Sequence, residues 1–145
     1  MPELTRPPST RVVGAVVFGT IVLTLLHFTD NAVNVDEYPR AGWQPDWFEW
    51  LVVAGWFVYS AVGVAGYRFY HEGRVPAAEV CLLVYGVAVA SSLAHFLYGS
   101  PGEMPVLSAV SVFVDVAAGL GVMAVAVWSA LARTAGAPSR NRSGA

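Results

Sequence analysis

Lysine is missing altogether, and charge of either sign is scarce. Only 12% of the 145 residues are Asp, Glu, Lys or Arg, and eight arginines supply all the basic side chains apart from three histidines. A soluble domain this small needs more charge than that to cover its surface. The net charge of −2 leaves no basic face for nucleic acid, so nucleic acid is not expected as a partner. A single cysteine, Cys81, excludes an intrachain disulfide and makes a poor redox or metal centre alone; inside an apolar block it reads as packing. No Gly-x-Ser-x-Gly elbow, phosphate-binding loop, dinucleotide fingerprint or HExxH pair is present, which removes support for hydrolysis of soluble substrates.

What the chain does hold is apolar residues, 56% of the total, gathered in long blocks. Four blocks stand out, at about 12–30, 47–67, 77–98 and 105–131. Each approaches or exceeds the roughly 20 residues that carry a helix across a ~30 Å hydrocarbon core. Only helices and closed barrels satisfy their backbone there, and these unbroken runs are too long for barrel strands. The fold class expected is therefore all-α, a four-transmembrane-helix bundle spanning 12–132. Residues 1–11 form a short N-terminal segment, and 133–145 a small, polar tail expected to be disordered. The first block lacks a small-x-small cleavage site and runs straight into His-Phe-Thr-Asp-Asn, so it is read as a retained span.

Arginine placement sets the expected orientation. Arg6 and Arg11 precede the first span, Arg68 and Arg74 lie between the second and third, and Arg133, Arg140 and Arg142 follow the fourth. Only Arg40 lies on the other side. By the positive-inside tendency the termini are cytoplasmic, in the cell membrane. Tyr38, Trp43, Trp47 and Trp50 are expected as an interfacial aromatic belt on the opposite border.

The first span ends LLHFTDN and the third LAHFLYG. Two repeated helical hairpins, 12–70 and 77–132, are one reading of that likeness. The other is that helices sharing a direction end in similar interfacial residues.

Ionisable groups inside spans are costly and usually face a bundle interior. His27, Asp30 and His95 fall near the outer boundary, and Asp115 lies deeper. Helical spacing gives each company: Thr24, His27, Asn31 and Asn34 on helix 1; Ser91, Ser92, His95 and Tyr98 on helix 3; Ser108, Ser111 and Asp115 on helix 4. Helix 2 adds a looser aromatic and polar stripe of Glu49, Trp56, Tyr59, Ser60 and Gly63. A mid-helix carboxylate facing lipid costs roughly 2.5–3.5 kcal/mol on insertion scales, so Asp115 must be protonated, hydrogen-bonded, paired or hydrated. Pairing with His27 or His95 is the expectation. Glu79, at the inner edge of helix 3, is expected to snorkel or cap.

All these stripes occupy the outer halves of their helices, which predicts a polar pocket opening outward with Asp115 at its floor. The catalytic candidates are Asp115, His27, His95 and Asp30. The ligand-binding candidates are Asn31, Trp56, Tyr59, Ser92, Tyr98, Ser111 and Phe113. Imidazole and carboxylate groups this close suit acid–base chemistry on a lipid-like or isoprenoid molecule, or binding of one. No cofactor is required by that reading. An alternative uses His27 and His95 as ligands of a haem or a divalent transition metal. A further alternative is an accessory subunit, with the glycine-bearing faces docking a homodimer partner or a larger membrane complex.

The order of these features resembles the EXPERA group, the family of the emopamil-binding protein and the sigma-2 receptor. The resemblance rests on His27 and Asp30 near the end of helix 1, then Tyr38-Pro39, Trp47-Phe48 at the start of helix 2, and Ser111-Val112-Phe113 early in helix 4. It implies a four-helix membrane fold that takes sterol-like ligands. Where that family carries a carboxylate within helix 2, this chain reads LVVAGWFVYSAVG, and Asp115 is the carboxylate left to stand in its place.

Overall fold

A computed structural model describes residues 6–38, 42, 45 and 47–136, without the side chains of Val35, Phe48 and Glu49. The expectations for Arg40, Trp43 and the tail beyond Gly136 lie outside the described residues.

The first helix, α1 (Thr10–Val33), begins where Ser9 accepts the Val12 N–H at 3.3 Å, a serine N-cap following two prolines. Its 24 residues reach ~36 Å, and the last turn carries Asp30 and Asn31 inside the helix. A single 3-10 turn, Val35–Glu37, leads to Tyr38. The second helix, α2 (Phe48–His71), reverses into the third through Gly73, whose φ of +76° is open to glycine without strain. Arg74 closes that turn, donating its N–H to the Phe69 carbonyl and laying its guanidinium 4.2 Å from the Phe69 ring centre.

The third helix departs from the sequence expectation. It is α-helical only over α3 (Val75–Ala90), with Pro76 in its first turn, and continues as a 3-10 helix over Ser91–Leu97. The cause is local. Ser91 and Ser92 donate their hydroxyls to the Ala88 and Val89 carbonyls, three residues back, at 2.6 and 2.9 Å, competing with the α-helical ladder. A repeat of three residues then sets Ser92 and His95 one above the other. The fourth helix, α4 (Val106–Ala135), is the longest at 30 residues.

All four helices are long and apolar enough to cross a membrane, and the chain is a multi-pass membrane protein built as a four-helix bundle. Each helix packs against its sequence neighbour, and α1 closes the ring against α4. Ser9, the Gly73 turn and Gly136 therefore share one end, tied there by Tyr70 donating to the Pro8 carbonyl at 2.6 Å. Large apolar side chains cover the outside: Val22, Leu26, Phe57 and Leu131 are all more than 60% exposed, as a lipid-facing surface requires.

The interior is layered. The half nearer Ser9 and Gly136 holds the larger apolar cluster, with Val13, Val17, Leu82, Tyr85, Val122 and Ala126, and beyond it the buried Glu79 and Ser129. Glycines let α3 and α4 touch there: a Cβ on Gly119 would stand 2.6 Å from the Gly86 carbonyl oxygen and 2.7 Å from the Ala90 nitrogen. At the far end Tyr38, Met104, Ala109 and Val112 form a second, smaller cluster. Polar side chains fill the space between.

Candidate functional site

The polar layer is built residue by residue from the helix stripes. On α4, successive members of one stripe meet different partners on α1 and in the 3-10 helix. Ser108 donates to Asp30 Oδ2 at 2.7 Å, Ser111 Oγ stands 2.8 Å from His27 Nδ1, and Asp115 Oδ2 stands 3.2 Å from Ser92 Oγ.

Asp30 is the anchor nearest the end of the bundle away from Ser9 and Gly136. Its Oδ2 accepts from Tyr38 at 2.6 Å and from Ser108, while Oδ1 accepts from Asn34 Nδ2 at 2.7 Å. Three donors to one carboxylate suit an anion. Tyr38 was expected in the interfacial belt; instead it is buried, because the turn after α1 swings it over the bundle end toward Asp30. Burial and the neighbouring Asp30 charge push the Tyr38 hydroxyl above its ordinary value. Its ring lies 4.8 Å from that of His95 and 5.9 Å from that of His27.

The two histidines approach each other from opposite helices of the ring, with ring centres 5.7 Å apart and nearly perpendicular. Their tautomers follow from their partners. The single Ser111 proton goes to the Ser108 carbonyl at 2.7 Å, so neutral His27 donates from Nδ1 to Ser111 and keeps its lone pair on Nε2. Asn31 donates its amide to His95 Nε2 at 2.9 Å, which places the proton of neutral His95 on Nδ1.

Of the two candidate partners for Asp115, His27 is the one that faces it, with Nε2 4.0 Å from Oδ2. The aspartate is fully buried and His27 only 2% exposed. That separation is too long for a direct hydrogen bond; an interposed oxygen could bridge it with two ~2.8 Å bonds at about 90°. Ser92 has one hydrogen and two neighbours, the Val89 carbonyl and Asp115. Asp115 in its acid form satisfies both by donating to Ser92 Oγ. Its Oδ1 has no hydrogen-bond partner among the described residues.

The remaining candidates separate. Asn31, Ser92 and Ser111 belong to this centre. Trp56 and Tyr59 lie on α2, across the α1–α3 diagonal, where Trp56 donates its indole N–H to Thr24 at 3.1 Å. Tyr98 and Phe113 are about half exposed, and Phe113 packs on Phe96 with ring centres 5.2 Å apart. Among the described residues no group of three or more His, Cys, Asp or Glu stands as a metal ion needs.

A second polar cluster, at the opposite end, escaped the sequence reading. Glu79 is buried instead of snorkelling: it accepts from Ser129 at 3.0 Å and from Nε and Nη2 of Arg133. The sequence placed Glu79 and Arg133 at the same membrane border, a usable hint, but nothing in it showed that their faces meet. Compared with known families, characterised proteins and solved structures, the chain matches none.

Proposed function

We propose that the protein binds a lipid-like or isoprenoid molecule at its outer polar centre, and that this centre supplies acid–base chemistry to it. One observation carries the reading: two proton-active side chains, His27 and Asp115, face each other at 4.0 Å deep in an apolar bundle. Buried polar groups normally complete their hydrogen bonds; Asp115 Oδ1 has no partner among the described residues and His27 Nε2 faces the other carboxyl oxygen, so the two side chains together suit a polar ligand group. His27 would exchange a proton with that group, Asp115 would give or take the second, and Ser111 and Ser92 would position the two side chains. The EXPERA resemblance, through His27, Asp30 and Ser111-Val112-Phe113, points to the same ligand class.

The orientation that suits this reading places both termini in the cytoplasm and the His27 end at the outer face of the cell membrane. Its support is the arginine bias: Arg6, Arg11, Arg68, Arg74 and Arg133 all belong to the end that carries the termini.

The test is lipid mass analysis of the protein purified from its membranes in mild detergent. A defined lipid retained by the wild type and lost from Asp115→Asn and His27→Gln supports the reading. Equal retention by all three, or none by the wild type, overturns it.

A further inference from the structure

On the other side of the α1–α3 diagonal a cleft lies between the outer halves of α1, α2 and α3. Thr24, Phe28, Trp56, Tyr59, Tyr85 and Val89 form most of its wall, with Ser60 and Ala88 completing it. It spans about 200 Å³ when open space at its mouth is counted, and in all it has room for on the order of one water molecule. Tyr59 is 41% exposed at the rim, on the surface the bundle presents to lipid.

Two hydroxyls in this wall lack partners. Ser60 Oγ and Tyr85 Oη are buried, and neither makes a hydrogen bond among the described residues. Thr24 lies beside Tyr85, but its hydroxyl donates to the Ile21 carbonyl and accepts from Trp56, and it makes no hydrogen bond to Tyr85. An unpaired buried hydroxyl is costly, and here there are two around one cleft. What both offer is a donor hydrogen. No charged residue lines the cleft, so a charged ligand would find no counter-ion there. The aromatic walls favour a flat apolar body.

We infer that this cleft is a second binding site, taking a neutral, apolar, carbonyl-bearing molecule from the bilayer. The carbonyl oxygen fills that water-sized space and accepts from Ser60 and Tyr85. The apolar body lies in the mouth against Phe28, Trp56 and Tyr59. The site shares no lining residue with the His27–Asp115 pair.

Benzophenone is a suitable probe, being a neutral diaryl ketone that on irradiation inserts its carbonyl carbon into nearby C–H bonds, forming the tertiary alcohol. The full chain in lipid nanodiscs is labelled over a concentration series and the adducts mapped by peptide mass spectrometry. Saturable labelling within residues 56–60 or 85–89 is expected, with half-saturation moved about tenfold higher in Tyr85→Phe or Ser60→Ala, the effect of one lost hydrogen bond. Tyr85→Phe keeps the ring that packs in the core, and thermal melts of both variants establish that they are folded. Labelling that does not saturate, that maps elsewhere, or that ignores both substitutions overturns the inference and leaves the hydroxyls to water. The outer centre fails or stands on lipid retention in Asp115→Asn, so the two readings fall separately.

Discussion

His27 Nε2 and Asp115 Oδ2 face each other at 4.0 Å, one from the first span and one from the fourth, with Asp115 wholly buried. The pair sits where the polar layer meets the larger apolar cluster of the bundle. On one side of it the wall is Val122, Leu82 and Ala126; on the other, Ser111 and Ser108 lead toward Asp30, while Asn31 and His95 pair with each other.

Asp115 contributes little to stability, because its Oδ1 is desolvated and unpaired. Asp115→Asn is expected to unfold within about 1 kcal/mol of the wild type, or to gain stability, while losing ligand. Thermal melts in detergent, read beside the lipid analysis, check this. A loss above about 3 kcal/mol would make Asp115 a structural residue.

Asp30 behaves in the opposite way. Asp30→Ala leaves the Tyr38 and Ser108 hydroxyls without their acceptor and is expected to cost about 2–4 kcal/mol. Denaturant unfolding in detergent measures it, and Tyr38→Phe should recover part of the loss in the double variant.

Tyr38 makes stability depend on alkaline pH. Its folded-state value is raised above the free phenol's 10.0, so the unfolded chain ionises first. Stability from this group is fully present below pH 10.0 and falls as pH rises from there toward the folded-state value. Comparing wild type with Tyr38→Phe isolates the effect: the variant should lose less stability above that pH, and equal slopes would refute the assignment.

The α3–α4 contact separates two glycines on one helix. Gly119→Ala drives a Cβ into the backbone of Gly86 and Ala90 and is expected to cost several kcal/mol, on the order of 2–4. Gly121→Ala meets nothing within 4 Å and should be neutral or gain about 0.5–1 kcal/mol from helix propensity. Melting both variants in the same detergent gives the contrast.

At the terminal end, Arg133→Ala strands a buried Glu79 with only Ser129 as donor. Because Arg133 is itself 47% exposed, the expected loss is modest, about 1–3 kcal/mol. In a double-mutant cycle Glu79→Gln should remove most of that cost.

Four spans, their alternating direction and the polar stripes of α1, the third span and α4 follow from the chain's local pattern. Hydropathy and helical period are properties of neighbouring residues, so Thr24, His27 and Asn31, or Ser108, Ser111 and Asp115, share a face whatever packs against them. What each stripe meets is not local. Ser111 reaches His27 across 84 positions and Glu79 reaches Arg133 across 54, contacts set by the rotation and height of whole helices. The same holds for Tyr38, which composition assigns to an interfacial belt and the turn after α1 delivers to Asp30. The serine pair at 91–92 tightens the end of the third span into a 3-10 helix and thereby aims His95. Sequence alone determined that His27, Asp30, His95 and Asp115 would gather toward the end of a four-helix membrane bundle away from Ser9 and Gly136. Tertiary structure decided which of them pair, which are left facing each other, and that Ser60 and Tyr85 would line a separate cleft, because helix packing selects one set of contacts among the many that the same stripes allow.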